Sequence, residues 1–172
     1  MPPPETLRFG IAGVLCALLL WSAVSDIADR RIPNSAILAI IALFVPWSFA
    51  SHGENLASGL AAGAIGFGVG YVLYLFKVMG AGDAKLFAAV ALFTGLTYLH
   101  LFALATVLCG GVVAAVIMVA RPRRAAAMLT LRGQGDFGRG IPYGVAIAVG
   151  GAVVVWGSLT GLLPADILTS GR

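Results

Sequence analysis

Charged side chains are scarce in this sequence. Lysine and arginine together number 11, and aspartate and glutamate number 7, so that only 10% of the 172 residues are charged. A soluble globular domain is usually about 25% charged, and the mean hydropathy of +1.00 lies far to the apolar side. This scarcity excludes an ordinary soluble domain and indicates a membrane protein.

Cysteine and histidine are equally rare, with two of each. Cys16 and Cys109 lie in separate apolar runs and form neither a CxxC motif nor a cluster with histidine. Structural zinc sites need such spacings. We therefore expect two small buried thiols, no metal and no cofactor.

Long apolar runs are abundant instead. A spanning helix needs about 20 largely apolar residues. The sequence predicts an all-α, polytopic membrane protein with one domain over residues 1–172 and six spanning helices, at residues 7–25, 33–50, 56–76, 82–98, 101–120 and 142–163. The first run could pass for a signal peptide, but Glu5 opposes Arg8 and the run is about 19 residues long, so an uncleaved helix is expected.

Glycine marks two features of these helices. The third run carries two GxxxG pairs, Gly59/Gly63 and Gly66/Gly70, which let neighbouring helices approach closely. The fourth and fifth runs cannot form one straight helix, because residues 85–120 would extend about 54 Å, well beyond the ~30 Å hydrocarbon core. The chain is therefore expected to turn near residues 95–100.

Positive charges predict the orientation of the helices. Alternate loops hold nine of the 11 basic residues, in residues 30–31, 77–85 and 121–139, whereas the opposite side holds only Arg8 and Arg172. Cytoplasmic loops are enriched in lysine and arginine. Both termini are therefore predicted to face away from the cytoplasm, which also explains the pI of 9.5 without nucleic acid. The loop 121–139 either lies on the membrane as an amphipathic segment or only sets the topology.

Two aspartates are predicted at the same cytoplasmic boundary. Asp26 ends the first run and Asp83 begins the fourth, so the topology can bring them face to face. In a pair of carboxyl groups, one takes a proton from water while the other polarises a carbonyl. Asp26 at a helix C-terminus is expected to hold the proton, and Asp83 at a helix N-terminus beside Lys85 is expected to be ionised.

Plainer interpretations of these aspartates remain open. Asp26 and Asp83 could be solvated helix-end residues paired with Arg30 and Lys85, and Asp29 could replace Asp26 as the partner. Gly80 and Gly82 precede Asp83 without side chains, and they could leave room for an extended peptide against the backbone.

Three stretches together resemble a known family. They are DIADRRIPN at residues 26–34, GAGDAKLFAAVALFTG at 80–95 and GIPYGVAIAVGG at 140–151. They resemble the type IV prepilin peptidases, membrane aspartyl proteases with a GxGD motif, and most closely the short kind that serves Tad/Flp pili. The resemblance implies that Asp26 and Asp83 are catalytic. It also implies substrate-binding or structural roles near the site for a further set of residues: Pro33, Asn34, Gly80, Gly82, Lys85, Pro142, Tyr143 and Gly144.

The resemblance also implies an activity and a location. Members cut the short basic leader of prepilins or pseudopilins at the cytoplasmic face of the bacterial inner membrane, usually after a glycine. The expected partners are that leader, the lipid bilayer and, indirectly, the pilus assembly machinery. Bifunctional members methylate the new N-terminus with a domain that carries paired CxxC motifs. This chain starts almost directly in a helix and has no such motif, so protease activity alone is expected.

Other functions were weighed against this one. An archaellin-like leader would suit the same chemistry. A small transporter or channel would need acidic or polar residues near mid-span, and the predicted spans carry no charged residue at mid-depth, which argues against it. A structural assembly subunit would not need its aspartates.

Overall fold

The computed structural model describes residues 4–51, 56–120 and 143–163. Every regular element in these ranges is an α-helix, as predicted. The helices are α1 (Pro4–Asp29), α2 (Asn34–Ala50), α3 (Leu56–Leu75), α4 (Ala81–Ala120) and α5 (Tyr143–Leu159). By length and composition, α1, α3 and α4 are apolar and long enough to cross a membrane, while α2 and α5 are shorter apolar helices. The count of six spans and the outward position of both termini stay predictions.

The interruption expected near residues 95–100 lies at Gly95. Its dihedral angles, φ 60° and ψ −179°, are not helical, and only glycine adopts them without strain. The interruption frees the amide of Leu96, which donates to Ser58 Oγ on α3 at 2.9 Å. Gly95 therefore divides α4 into two arms, and α3 holds the junction.

The connection between α1 and α2 differs slightly from the prediction. Helix α1 continues beyond residue 25 to Asp29 and ends where Arg30 adopts a left-handed φ of 54°. Pro33 is the extended residue before α2, so the helix begins at Asn34. The Ser25 hydroxyl donates to the Arg31 carbonyl at 3.0 Å. Asp26 consequently lies in the last turn of α1, one turn before the helix ends.

The glycines of α3 pack against α4, as their spacing predicts. A Cβ placed on Gly59 would lie 2.6 Å from the Leu92 carbonyl oxygen, and one on Gly70 would lie 2.9 Å from Ala84 Cβ. Real Cβ atoms do not approach so closely. The two backbones therefore sit at a distance that larger side chains would prevent, as in other GxxxG contacts.

Helix α4 is central, since it packs against α2, α3 and α5. Its first arm holds the fully buried Leu86 and Val90, whereas the second arm exposes large apolar side chains such as Val107 and Val119. Exposed apolar surface of this extent is unusual in water-soluble monomers. It is the surface expected of helices in contact with lipid.

Candidate active site

Asp26 lies where α1 meets the start of α5. Its side chain is 7% exposed, and its Oδ2 accepts a hydrogen bond of 2.9 Å from the backbone amide of Gly144, the second residue of α5. The first amides of a helix have no partner within the helix and carry partial positive charge. The N-terminus of α5 therefore stabilises negative charge on Asp26.

Gly144 has no room for a side chain at this contact. A Cβ on it would lie 2.8 Å from Asp26 Oδ2 and 3.1 Å from both Asp26 Cβ and Cγ. The absence of a side chain is thus what lets the amide of α5 reach the carboxylate. From the sequence, Gly144 was only one residue of a segment with a structural or substrate role; its hydrogen bond to Asp26 was missed.

Asp83 is the third residue of α4 and is half-buried. A Cβ on Gly80 would lie 2.9 Å from its Oδ2, and the Gly80 backbone contributes a hydrogen bond to the carboxylate. The first turn of α4 begins here, with Ala84 N donating to the Gly80 carbonyl at 3.0 Å. The Gly80 backbone therefore lies directly against the Asp83 carboxylate.

The two carboxyl groups lie close enough for the charge of Asp26 to act on Asp83. They come from helices 57 positions apart in sequence. Like charges held together cannot both ionise easily, so such a pair retains a proton that the two groups share. Arg30 also acts electrostatically on Asp26. The arrangement can therefore hold one ionised and one protonated carboxyl group side by side.

Lys85 does not take the place expected for it. Its side chain is exposed and lines an apolar groove between α2, α3 and α4, and it is not among the groups that act on Asp83. Residues two apart on a helix do not face each other. The expectation that Lys85 keeps Asp83 ionised is therefore not met in this structure.

The remaining residues of the predicted site have other neighbours. A Cβ built on Gly82 would lie 3.5 Å from the Cβ of Ile32. The Tyr143 ring lies near Gly110 on the second arm of α4. Pro33 precedes α2, and Asn34, its first residue, lines the same groove as Lys85. Pro142 lies outside the described residues.

Asp29 was the alternative partner for Asp83. It is the last residue of α1 and is exposed, whereas Asp26, one turn earlier, is buried and hydrogen-bonded. The geometry therefore favours Asp26. Asp136 and the loop 121–139 lie outside the described residues.

Gly70 supports the helix turn that carries Asp83, a role that the sequence did not indicate. Its close approach to Ala84 fixes the residue that follows Asp83, so α3 supports the first turn of α4. The GxxxG spacing contained this signal, but not the identity of the helix it contacts. In the described part of the chain, no group of three or more His, Cys, Asp or Glu side chains could hold a metal ion.

The chain matches the model of a known protein family. The model of the type IV leader peptidase family matches residues 13–115. This range includes both aspartates and the glycines that precede Asp83. No curated protein and no solved structure matches the chain.

Proposed function

Because the chain belongs to the type IV leader peptidase family, we propose that it is a membrane aspartyl endopeptidase in which Asp26 and Asp83 activate water to cut a leader peptide. The observation that carries this proposal is that two carboxyl groups lie close together, one in the last turn of α1 and one in the first turn of α4. One carboxylate takes a proton from water, and the protonated partner donates a hydrogen bond to the scissile carbonyl.

The hydrogen bond from Gly144 supports a proposal for the role of each aspartate. An amide donor at a helix N-terminus stabilises an anion, and Asp26 accepts such a bond at 2.9 Å. We therefore assign the carboxylate to Asp26 and the shared proton to Asp83, the reverse of what the helix ends alone suggested. In the first step the water oxygen bonds to the carbonyl carbon, its proton passes to Asp26, and the Asp83 proton moves to the carbonyl oxygen. Collapse of this tetrahedral intermediate breaks the C–N bond, and the amine leaves with the proton from Asp26 while Asp83 recovers its own.

The substrate we propose is the short basic leader of a prepilin or pseudopilin of the Flp type. The resemblance of residues 26–34 and 80–95 to that group of peptidases supports this assignment. The positive-inside pattern of the loops supports cleavage at the cytoplasmic face of the bacterial inner membrane. The two cysteines form no paired CxxC motif, so we propose cleavage without methylation.

Co-expression with a tagged Flp-type prepilin tests the function. Wild type is expected to convert the precursor to the shorter mature form, whereas Asp26→Asn and Asp83→Asn should each leave it unprocessed. Membrane insertion of each variant is checked by fractionation. Asp29→Asn serves as the matched control, because Asp29 is exposed on the same helix end. Processing at the wild-type rate by either site variant would refute the assignment, as would loss of processing in Asp29→Asn alone.

A further inference from the structure

Helix α4 folds back on itself at Gly95. Phe87 precedes this residue by eight positions and Phe102 follows it by seven, yet their rings stack with centroids 4.6 Å apart. A straight helix would hold the two residues about 22 Å apart along its axis at 1.5 Å per residue. The two arms of α4 therefore lie side by side, and the chain sets the angle between them at Gly95.

Helix α5 packs closely against both arms. A Cβ on Gly150 would lie 2.9 Å from Thr106 Oγ1 on the second arm. A Cβ on Gly151 would lie 2.6 Å from Val90 Cγ1 on the first arm. Because close-packed interiors transmit displacements, the position of α5 depends on how the two arms are placed.

The two arms consequently support different halves of the candidate active site. The first arm carries Asp83, whereas Asp26 is held by the amide of Gly144 at the start of α5. Asp83 lies 12 residues before Gly95, so a change of about 5° at Gly95 would displace it by about 1.6 Å at the end of an arm of about 18 Å. A displacement of about 1 Å can lower a rate by about 10²-fold.

A hydrogen bond from α3 holds the point where the arms join. The amide of Leu96, at the start of the second arm, donates to the Oγ of the half-buried Ser58 at 2.9 Å. The first amides of a helix have no partner within the helix, so Ser58 satisfies a group that the second arm leaves free. The same helix α3 packs along the first arm, where Gly59 and Gly70 meet its backbone. Ser58 thus ties the second arm to the helix on which the first arm rests.

We propose that Ser58 is a positioning residue, whose hydroxyl fixes the angle between the two arms of α4 and thereby the placement of Asp83 relative to Asp26. This inference rests on the proposed function. Ser58 acts through α4 and α5 rather than on the reacting atoms, from the end of the first arm opposite to Asp83.

Cleavage kinetics test this role in the full-length protein. Ser58→Ala is expected to lower kcat about tenfold with KM unchanged, because the carboxyl groups are displaced while the surface that binds the peptide is kept. Ser58→Thr keeps the hydroxyl and should retain the wild-type kcat. Ser158→Ala is the matched control, since Ser158 is also half-buried but donates within its own helix, to the Val155 carbonyl at 2.8 Å. It should leave both constants unchanged.

A distance measurement follows the angle between the arms independently of cleavage. Nitroxide labels are attached at Lys85 and Val116, which are exposed on the first and the second arm, in a background in which Cys16 and Cys109 are replaced by serine. A tilt of about 5° should move the distance between the labels by about 1–2 Å in Ser58→Ala. Ser58→Thr and Ser158→Ala should give the wild-type distance.

The outcomes separate the two proposals. If wild type cleaves the tagged Flp-type prepilin but Ser58→Ala keeps the wild-type kcat, or Ser58→Thr loses as much, the role of Ser58 is refuted and the proposed function stands. An unchanged distance between the labels in Ser58→Ala likewise refutes it, as does a variant that only unfolds at a lower temperature. If wild type does not cleave the prepilin at all, the proposed function fails, and the positioning role fails with it.

Discussion

The two sides of the first turn of α4 differ sharply. On one side, Asp83 lies near the buried Asp26. The Gly80 backbone lies against the carboxyl group of Asp83, and the Gly144 backbone lies against that of Asp26. On the other side, Lys85 opens onto a groove lined almost entirely by apolar side chains. One helix turn thus separates a closed region around the two carboxyl groups from an open apolar groove.

The contrast assigns different kinetic signatures to the two sides. Under the proposed function, groups on the closed side hold the reacting atoms in place, so changes there should lower kcat. If the proposed function holds, a group on the open side would contact the substrate equally in its ground and transition states, so changes there should raise KM. Substitutions on each side can therefore test whether the two sides differ in this way.

The largest of these effects is expected at Gly144. In Gly144→Ala the new Cβ would lie 2.8 Å from Asp26 Oδ2, so either α5 or the carboxylate must move. A displacement of about 1 Å can lower a rate by about 10²-fold, and we expect kcat to fall by that order in a leader-cleavage assay. Gly111→Ala is the control, because no atom lies within 4 Å of a Cβ there. Equal rates for the two variants would contradict the role given to the Gly144 contact.

A moderate effect on stability is expected at Gly70, which supports the closed side from α3. In Gly70→Val the side chain would collide with Ala84. Overpacking of this kind costs about 1–3 kcal/mol, which should appear as a lower midpoint of thermal unfolding in detergent. Gly68→Val, on the same helix with no atom within 4 Å of its Cβ, should unfold near the wild-type temperature. Equal midpoints would show that α3 does not hold the first turn of α4 in this way.

The smallest effect is expected on the open side, at Lys85. Lys85→Met removes an exposed charge, and exposed ionic contacts are worth little, so KM should rise about two- to fivefold with kcat unchanged. Lys85→Arg should keep the wild-type KM. A fall in kcat instead would indicate that Lys85 acts on Asp83, as the sequence predicts.

Much of this architecture was accessible from the sequence. Apolar runs and their lengths predict the helices, and the length limit of a spanning helix predicts a break that the structure has at Gly95. The spacing of Gly59, Gly63, Gly66 and Gly70 predicts a close helix contact, which α4 provides. The two aspartates were singled out because each stands at an end of an apolar run.

What the sequence could not give depends on how helices are rotated and paired. Nearness in sequence placed Lys85 beside Asp83, but two residues along a helix turn a side chain by about 200°, away from its neighbour. The hydrogen bond from Gly144 to Asp26 joins residues 118 positions apart, and no local pattern predicts which helix start meets which helix end. The open groove likewise depends on how α2, α3 and α4 pair and rotate.

The central claim is that Asp26 and Asp83 act as one catalytic unit, and cleavage rates of the single and double variants test it most directly. Purified protein in liposomes is supplied with a tagged Flp-type prepilin, and initial rates are measured for wild type, Asp26→Asn, Asp83→Asn and the double variant. Each single variant should lower kcat by about 10²- to 10⁴-fold, and the double variant should lower it no further, because the second carboxyl group does nothing without the first. A single variant that cleaves at the wild-type rate, or single losses that multiply in the double variant, would contradict the account.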